Sequence, residues 1–337
     1  MSMEKVPAKI LKEIKGQNLE AFLISFEGWR RGLELTWYKE GSEECKFNMA
    51  ADLSGKFFSL RNQNKEHFFY RTRGDYVSNE ATSLTRDKEK TKKLLQDNNI
   101  PVPLGKRFHI DDKNGIIDYA TKLSYPVVLK PLDAFMGKGV FCDIKNQEEL
   151  IEVYEHFKTN YAYRTCMIEK QYYGEEHRIY VVGDEVVSAI NRRAAYVVGD
   201  GESSIRELIE SKNKEREENP YLRDKPIKID YDLEKNLADG GYELDEVYPE
   251  GKEIKLRKIS NLARGGEPHD VTHTLSEKVK EVAVSAFKAM PEMAHGGVDI
   301  IVDENDSDKG VVLEINATAE IVFHMYPLTG TPQNIPE

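Results

Sequence analysis

The sequence predicts a mixed α/β (α+β) chain, on three observations. Short runs rich in β-branched residues, such as 298–302 and 311–315, are spaced by polar turn-like segments. Stretches with helical start and stop signals, such as 85–98 and 199–209, lie between strand-like runs. Finally, 337 residues with 39% hydrophobic content are enough for more than one core, which suggests two or three domains.

In chain order, residues 1–82 read as a small α/β N-terminal domain, with a helical start and strand-like runs at 21–26, 33–38 and 67–70. Residues 83–164 read as a central unit. Its stretch 85–98 is an amphipathic helix with Thr85 or Asp87 as cap, stopped by Pro101 and Pro103. Residues 125–130 form an apolar strand closing on Lys130, followed by a loop in which Gly137 and Gly139 flank Lys138. A charge at the end of an apolar strand costs desolvation unless an anion meets it. Small residues beside Lys138 let backbone N–H groups approach phosphate oxygens. The loop is neither a P-loop nor a dinucleotide fingerprint, since both glycine patterns are absent.

Residues 165–337 read as the C-terminal unit. In it, 167–182 is strand, short turn at Gly174 and strand, which reads either as an ordinary hairpin with exposed charges or as a connector able to offer backbone groups to a base while Glu176 accepts from ribose hydroxyls. Ser204 and Glu207 have the spacing of a capping box, and 212–225 is a charged, solvent-exposed stretch. Residues 255–271 gather Lys255, Arg257, Lys258 and Arg264 around Asn261 and Gly265–Gly266, a basic cluster that invites an anion in a chain of net charge −11.

The stretch 296–319 carries the metal chemistry. Two strands frame a hairpin loop at 303–310, and residues two apart on a strand share a face. Glu314 and Asn316 therefore point one way, with Leu313 and Ile315 into the core, and hairpin pairing brings Asp299 opposite Glu314. Two carboxylates and an amide oxygen are a hard-oxygen set suited to Mg²⁺. An EF-hand reading fails, because the sixth loop position is Asp308 in place of glycine and strand follows in place of helix.

Composition narrows the class. No apolar run approaches the roughly 18 to 20 residues that span a bilayer, and the N-terminus lacks the apolar core of a signal peptide, so no membrane partner and a cytoplasmic location are expected. Cys45, Cys142 and Cys166 are odd in number and far apart, which indicates buried free thiols. The acidic balance argues against nucleic acid as a partner. A homo-oligomer is compatible with all of this.

From about residue 83 to 334, the segments DKEKTKKLL, YPVVLKP, GKGV, EKQYYGEEHRIYVV, YVVGDGESSIRELI, NLARGGEPHDVT, GGVDIIV and LEINATA resemble the ATP-grasp ligases. The branch is that of cyanophycin synthetase and the ligase half of bifunctional glutathione synthetases. The resemblance implies an ATP-grasp fold with N-terminal, central and C-terminal subdomains and ATP between the last two. It implies that Lys88, Lys130 and Lys138 contact the nucleotide, that Glu169, Lys170, Gln171 and Tyr172 form the adenine connector, and that Glu176 meets the ribose. Asp299, Glu314 and Asn316 match the metal ligands, for two Mg²⁺ ions with Mn²⁺ as a substitute. Arg178, Arg192, Arg257 and Asn261 match positions near the transferred phosphoryl group and the acyl substrate. The implied activity is ADP-forming ligation of a small carboxylate and an amine, with a protein carboxylate as substrate, or a non-catalytic ATP-binding regulator, as alternatives. Ala263 and Arg264 stand where the family has small hydroxyl residues, so acyl-substrate contacts do not carry over. No Mur-ligase-like second half and no glutamate–cysteine ligase half accompany the resemblance, and the chain stops soon after the metal strand.

Overall fold

A computed structural model describes residues 11, 13–48, 50–132 and 139–337. The chain builds three antiparallel sheets of four or five strands, and a small two-stranded one. Helix α1 (Gln17–Arg30) precedes a sheet of strands β1 (Glu34–Trp37), β2 (Phe57–Arg61), β3 (Glu66–Tyr70) and β4 (Arg73–Gly74), paired in that order. Residues 21–26, read from sequence as a strand, lie inside α1. The reason is that α1 is sandwiched. Ala21 and Ile24 pack on Phe58 and Leu60 of its own sheet, while Leu19 and Leu23 pack on the C-terminal sheet, so the helix is apolar on two sides and shows no single stripe.

Helices α2 (Asn79–Arg86) and α3 (Lys88–Asp97) follow, capped by the side chains of Ser78 and Asp87. Strand β5 (Gly105–His109), helix α4 (Lys113–Leu123), strands β6 (Val127–Pro131) and β7 (Phe141–Ile144), helix α5 (Gln147–Asn160) and strand β8 (Thr165–Lys170) make the central unit. Its sheet runs β5-β8-β6-β7, with Ile116 and Ala120 of α4 and Leu150 and Phe157 of α5 buried against Val127, Leu129 and Ile168. Cys142, expected to be a buried thiol, is exposed on the edge strand β7, whereas Cys166 on β8 is buried.

Strands β9 (Gly174–Val182) and β10 (Glu185–Arg193) open the C-terminal unit. A small lobe interrupts it: β11 (Tyr196–Val198), α6 (Ile205–Glu217), α7 (Tyr231–Asp239) and β12 (Glu253–Lys255), around Val197, Ile209, Leu233, Leu237 and Ile254. The Ser204–Glu207 capping box is formed at the start of α6. Strand β13 (Glu267–Asp270), helix α8 (Glu277–Lys288), strands β14 (His295–Asp303) and β15 (Gly310–Asn316) and the short helix α9 (Val322–Met325) complete the unit, with sheet order β13-β10-β9-β14-β15.

This five-stranded sheet is covered on both faces. One face carries Ile179, Val181, Val298, Ile300, Val312 and Ile315 under α8, together with Ala81 of α2 and Leu95 of α3. The other carries Tyr180 and Ile190 against α1, α9 and Tyr221. The structure thus differs from the expected divisions at 82/83 and 164/165. Helices α2 and α3 pack on the C-terminal sheet, and β8 is an inner strand of the central one, because hydrogen-bond pairing and burial set membership and chain order does not. No helix among the described residues is long and apolar enough to cross a membrane.

Candidate active site

The face of the C-terminal sheet that α1 covers has a second, uncovered end, and the charged residues occupy it. Side chains alternate along β9, so Glu176 and Arg178 lie on the same face as Tyr180, opposite Ile179 and Val181. In the β9–β14 ladder Arg178 stands directly across from Asp299, and in the β14–β15 ladder Asp299 stands across from Glu314, the pairing expected from the hairpin. The hairpin has one irregularity. Ile300 pairs with Val312 but Asp299 with Glu314, so Leu313 is an extra, bulged residue. Leu313 was expected in the core; Val312 takes that place. Without the bulge Glu314 would sit opposite Val298 and turn inward, so the bulge is what aims Glu314 at the site.

Asp299 is 2% exposed and held in a fork by Arg178, whose Nε and Nη2 both donate to it, the latter at 3.0 Å. Arg192 Nη2 approaches the same carboxylate at 3.0 Å and also donates to Glu176. Gly297 makes room for this: a Cβ there would meet Arg178 Cδ at 2.8 Å. Burial pushes the Asp299 carboxyl up, but the two guanidiniums outweigh it and hold the group well below the usual carboxylate range. Burial pushes the Arg178 guanidinium down, yet Asp299 more than reverses that, so its pKa is raised. Glu176 is raised, first by burial and then by the charges of Asp299 and Glu314, with Arg192 opposing. Asn316 Nδ2 lies 3.4 Å from Glu314 Oε1, and Lys88, at the start of α3, lies 4.0 Å from Glu314 Oε2.

The structure therefore brings Lys88, Glu176, Arg178, Arg192, Asp299, Glu314 and Asn316 together. Lys130 lies on the central sheet, where its Nζ is 2.5 Å from Glu169 Oε2. Glu169, expected in the connector, is buried on β8 between Lys130 and Lys92, both of which it contacts. Burial raises its carboxyl, and the two lysines overcome that and lower it. Lys170 donates to the Ser124 carbonyl at 2.8 Å, and Gln171 N–H donates to the Pro126 carbonyl at 3.2 Å. Residues 171–173 then pass from the central sheet to the C-terminal one, so Gln171 and Tyr172 lie where a ligand bound between the two would be met. Lys138 lies outside the described residues.

Arg257 and Asn261 stand apart in their bonding. Arg257 is buried and donates to the carbonyls of Arg264 and Lys228 and to Asp230 Oδ2, at 3.0, 2.9 and 2.9 Å. Asn261 caps a short 3-10 turn at Leu262–Arg264, its Oδ1 accepting from Ala263 N–H at 2.9 Å. Arg264 pairs with Asp230 and Asp232, and Lys258 with Asp239. Of the basic cluster that was expected to invite an anion, Arg257, Lys258 and Arg264 are already matched by carboxylates of α7 and its N-terminal cap.

Among the described residues no group of three or more His, Cys, Asp or Glu side chains is arranged to hold a metal by itself. The oxygen set is nonetheless suited to a hard cation. The Glu314 carboxyl is within hydrogen-bonding reach of Asp299, two like-charged groups that a cation between them would reconcile, and Asn316 adds an amide. The charges of Glu176, Asp299 and Glu314 are already offset by Arg178, Arg192 and Lys88. Such a balanced site suits a dication that arrives with its own anion better than a bare one. Among the described residues Arg192 Nε is buried with no partner, a donor left for an anion. Sequence reasoning missed Lys92, although its spacing of four from Lys88 puts both on one helix face.

Residues 85–202 match the family model of the RimK-like ATP-grasp domain. The chain is 33% identical to cyanophycin synthetase of Trichormus variabilis over 76% of its own length and 28% of that protein's. It is 29% identical to the glutathione biosynthesis bifunctional protein of Clostridium perfringens, over 93% of this chain and 41% of that one. The chain thus spans less than half the length of either relative. A bifunctional glutathione synthetase from Pasteurella multocida shares the fold, with a TM-score of 0.68 and 23% identity over 94% of this chain and 43% of that one. Over residues 85–202, which run from α2 through the central sheet into the C-terminal one, this chain therefore carries the sequence of a RimK-like ATP-grasp domain.

Proposed function

We propose that the protein is an ATP-dependent carboxylate–amine ligase that forms an amide through an acyl-phosphate and releases ADP and phosphate. The observation that carries this reading is the convergence of Arg178, Arg192, Asp299, Glu314 and Asn316 at one end of one sheet face, with Lys88 reaching in from α3. ATP would lie between the central and C-terminal sheets, met by Lys88, Lys130 and Lys138, by the 171–173 connector and by Glu176. Asp299, Glu314 and Asn316 would hold Mg²⁺, as two ions, or Mn²⁺ in its place. Bound there, the metal supplies Lewis-acid stabilisation of phosphoryl charge.

In the first step a carboxylate oxygen of the substrate bonds to the γ-phosphorus as the bond to the β-phosphate oxygen breaks, and ADP leaves. In the second an amine nitrogen bonds to the acyl carbon, phosphate departs with the electron pair of the C–O bond, and the nitrogen loses a proton. Arg178, which is buried, and Arg192, which is half-buried, are fixed by Asp299 and would present positive charge where the transferred group accumulates negative charge, with no reorganisation needed. Hydroxylamine supplied with the correct carboxylate and ATP should trap a hydroxamate in the absence of the amine, with ADP formed in step. Formation of AMP and pyrophosphate would refute the mechanism.

A further inference from the structure

We propose that the corner where α1 meets the segment after β15 recognises a cationic group of the substrate, an ammonium or a guanidinium, through Glu320 and Glu20 beside Tyr221. The inference rests on the ligase reading and adds a substrate class to it. Glu320 follows the metal strand by four residues, and its Oε2 accepts from the Tyr221 hydroxyl at 2.8 Å. Among the described residues it forms no salt bridge, and the nearby Lys225 ammonium is directed to the Tyr221 carbonyl at 2.8 Å and lies over the Tyr221 ring. Glu20 reaches the same corner from α1. Arg71 satisfies its Oε2, whereas among the described residues its buried Oε1 has no partner. An oxygen removed from water without a hydrogen bond is costly, and it marks a place for a polar partner that the described residues do not supply.

The position suits a substrate group. The corner is the border between the α1-covered end of the sheet face, marked by Tyr180, and the charged end, marked by Arg178. The Phe323 ring links the two ends, with Arg178 6.0 Å over it and the Tyr221 ring, whose hydroxyl donates to Glu320, 5.1 Å from it, so a molecule with its carboxylate at the phosphoryl end and a positive group at the other would span the border. The charged and titratable groups facing Glu20 are Arg71, Glu320, Lys225, Tyr180 and Tyr221. Burial, opposed by Arg71 and aided by Glu320, pushes the Glu20 carboxyl up to about 8, so it is protonated at neutral pH. A bound cation favours the ionised form, so binding should release a proton from Glu20.

Calorimetry on the full chain with Mg²⁺ and a non-hydrolysable ATP analogue tests this with three probe pairs: arginine against citrulline, lysine against norleucine, and glycine against glycolate. In at least one pair the cationic member should bind at least tenfold tighter, with proton release below pH 8 read from the buffer dependence of the heat. E320Q, which keeps an acceptor for Tyr221, should erase the preference without changing nucleotide affinity, and E20Q should erase the proton release. No tenfold preference in any pair, or a preference that survives E320Q, would overturn the inference. The ligase reading is judged separately, by ADP release and hydroxamate trapping.

Discussion

The uncovered end of the C-terminal sheet and the 255–266 segment are both rich in arginine, yet they do opposite things with it. In the first, buried Arg178 and half-buried Arg192 are fixed by one carboxylate, and among the described residues an Arg192 donor is left over. In the second, Arg257, Lys258 and Arg264 are each matched by aspartates of the small lobe, so the charge there closes the lobe. Positive charge in a sequence signals a ligand only where the fold leaves it a donor to spare.

Asp299→Ala should be the most damaging way to break the contrast. It strands the buried Arg178 guanidinium and the half-buried Arg192 one, and removing one partner of a buried pair costs about 3–5 kcal/mol, to be read from denaturant midpoints at constant slope. Glu314→Gln keeps size and strand pairing, so folding should hold while most turnover is lost, by ADP release at physiological Mg²⁺. Wild-type turnover would remove Glu314 from the metal set. Lys130→Ala should weaken ATP binding by roughly ten- to hundredfold, the worth of a charge-assisted contact of about 1.5–3 kcal/mol. Calorimetry with the nucleotide checks this. Arg264→Ala marks the other side of the comparison: its half-exposed pairs are worth about 0–1 kcal/mol, and nucleotide affinity should not move.

Titration offers a further distinction. Glu20 has a folded pKa of about 8 against an ordinary 4.5, so the folded state binds more protons between these values and stability falls as pH rises through that window. His295 is depressed to about 4 by burial, so it contributes the opposite slope, stability being lost as pH falls from 6.5 towards 4. Glu20→Gln should flatten the first slope and leave the second, in unfolding free energies measured across pH 4 to 9.

The pairing of Asp299 with Glu314 was legible because strand periodicity and a turn-like loop fix a hairpin with few alternatives. The α3 cap and the Lys130 strand end were legible for similar local reasons. What escaped was set by contacts distant in sequence. The double-sided burial of α1 hid its helical period, and Lys92 has meaning only through Glu169, far along the chain. The partners of Arg257 and Arg264 lie on α7, and nothing in the basic segment itself announces them.

The bulge at Leu313 also has an engineering meaning. It acts as a phase marker downstream of the hairpin loop, so the facing of Glu314 and Asn316 is counted from their pairing with Asp299 and Gly297 and not from the loop's end. Insertions or labels at 304–308 should therefore leave the site's geometry unaltered. Deleting Leu313 alone would put the strand's two halves out of step and rotate either the core residue Val312 or Glu314 to the wrong side.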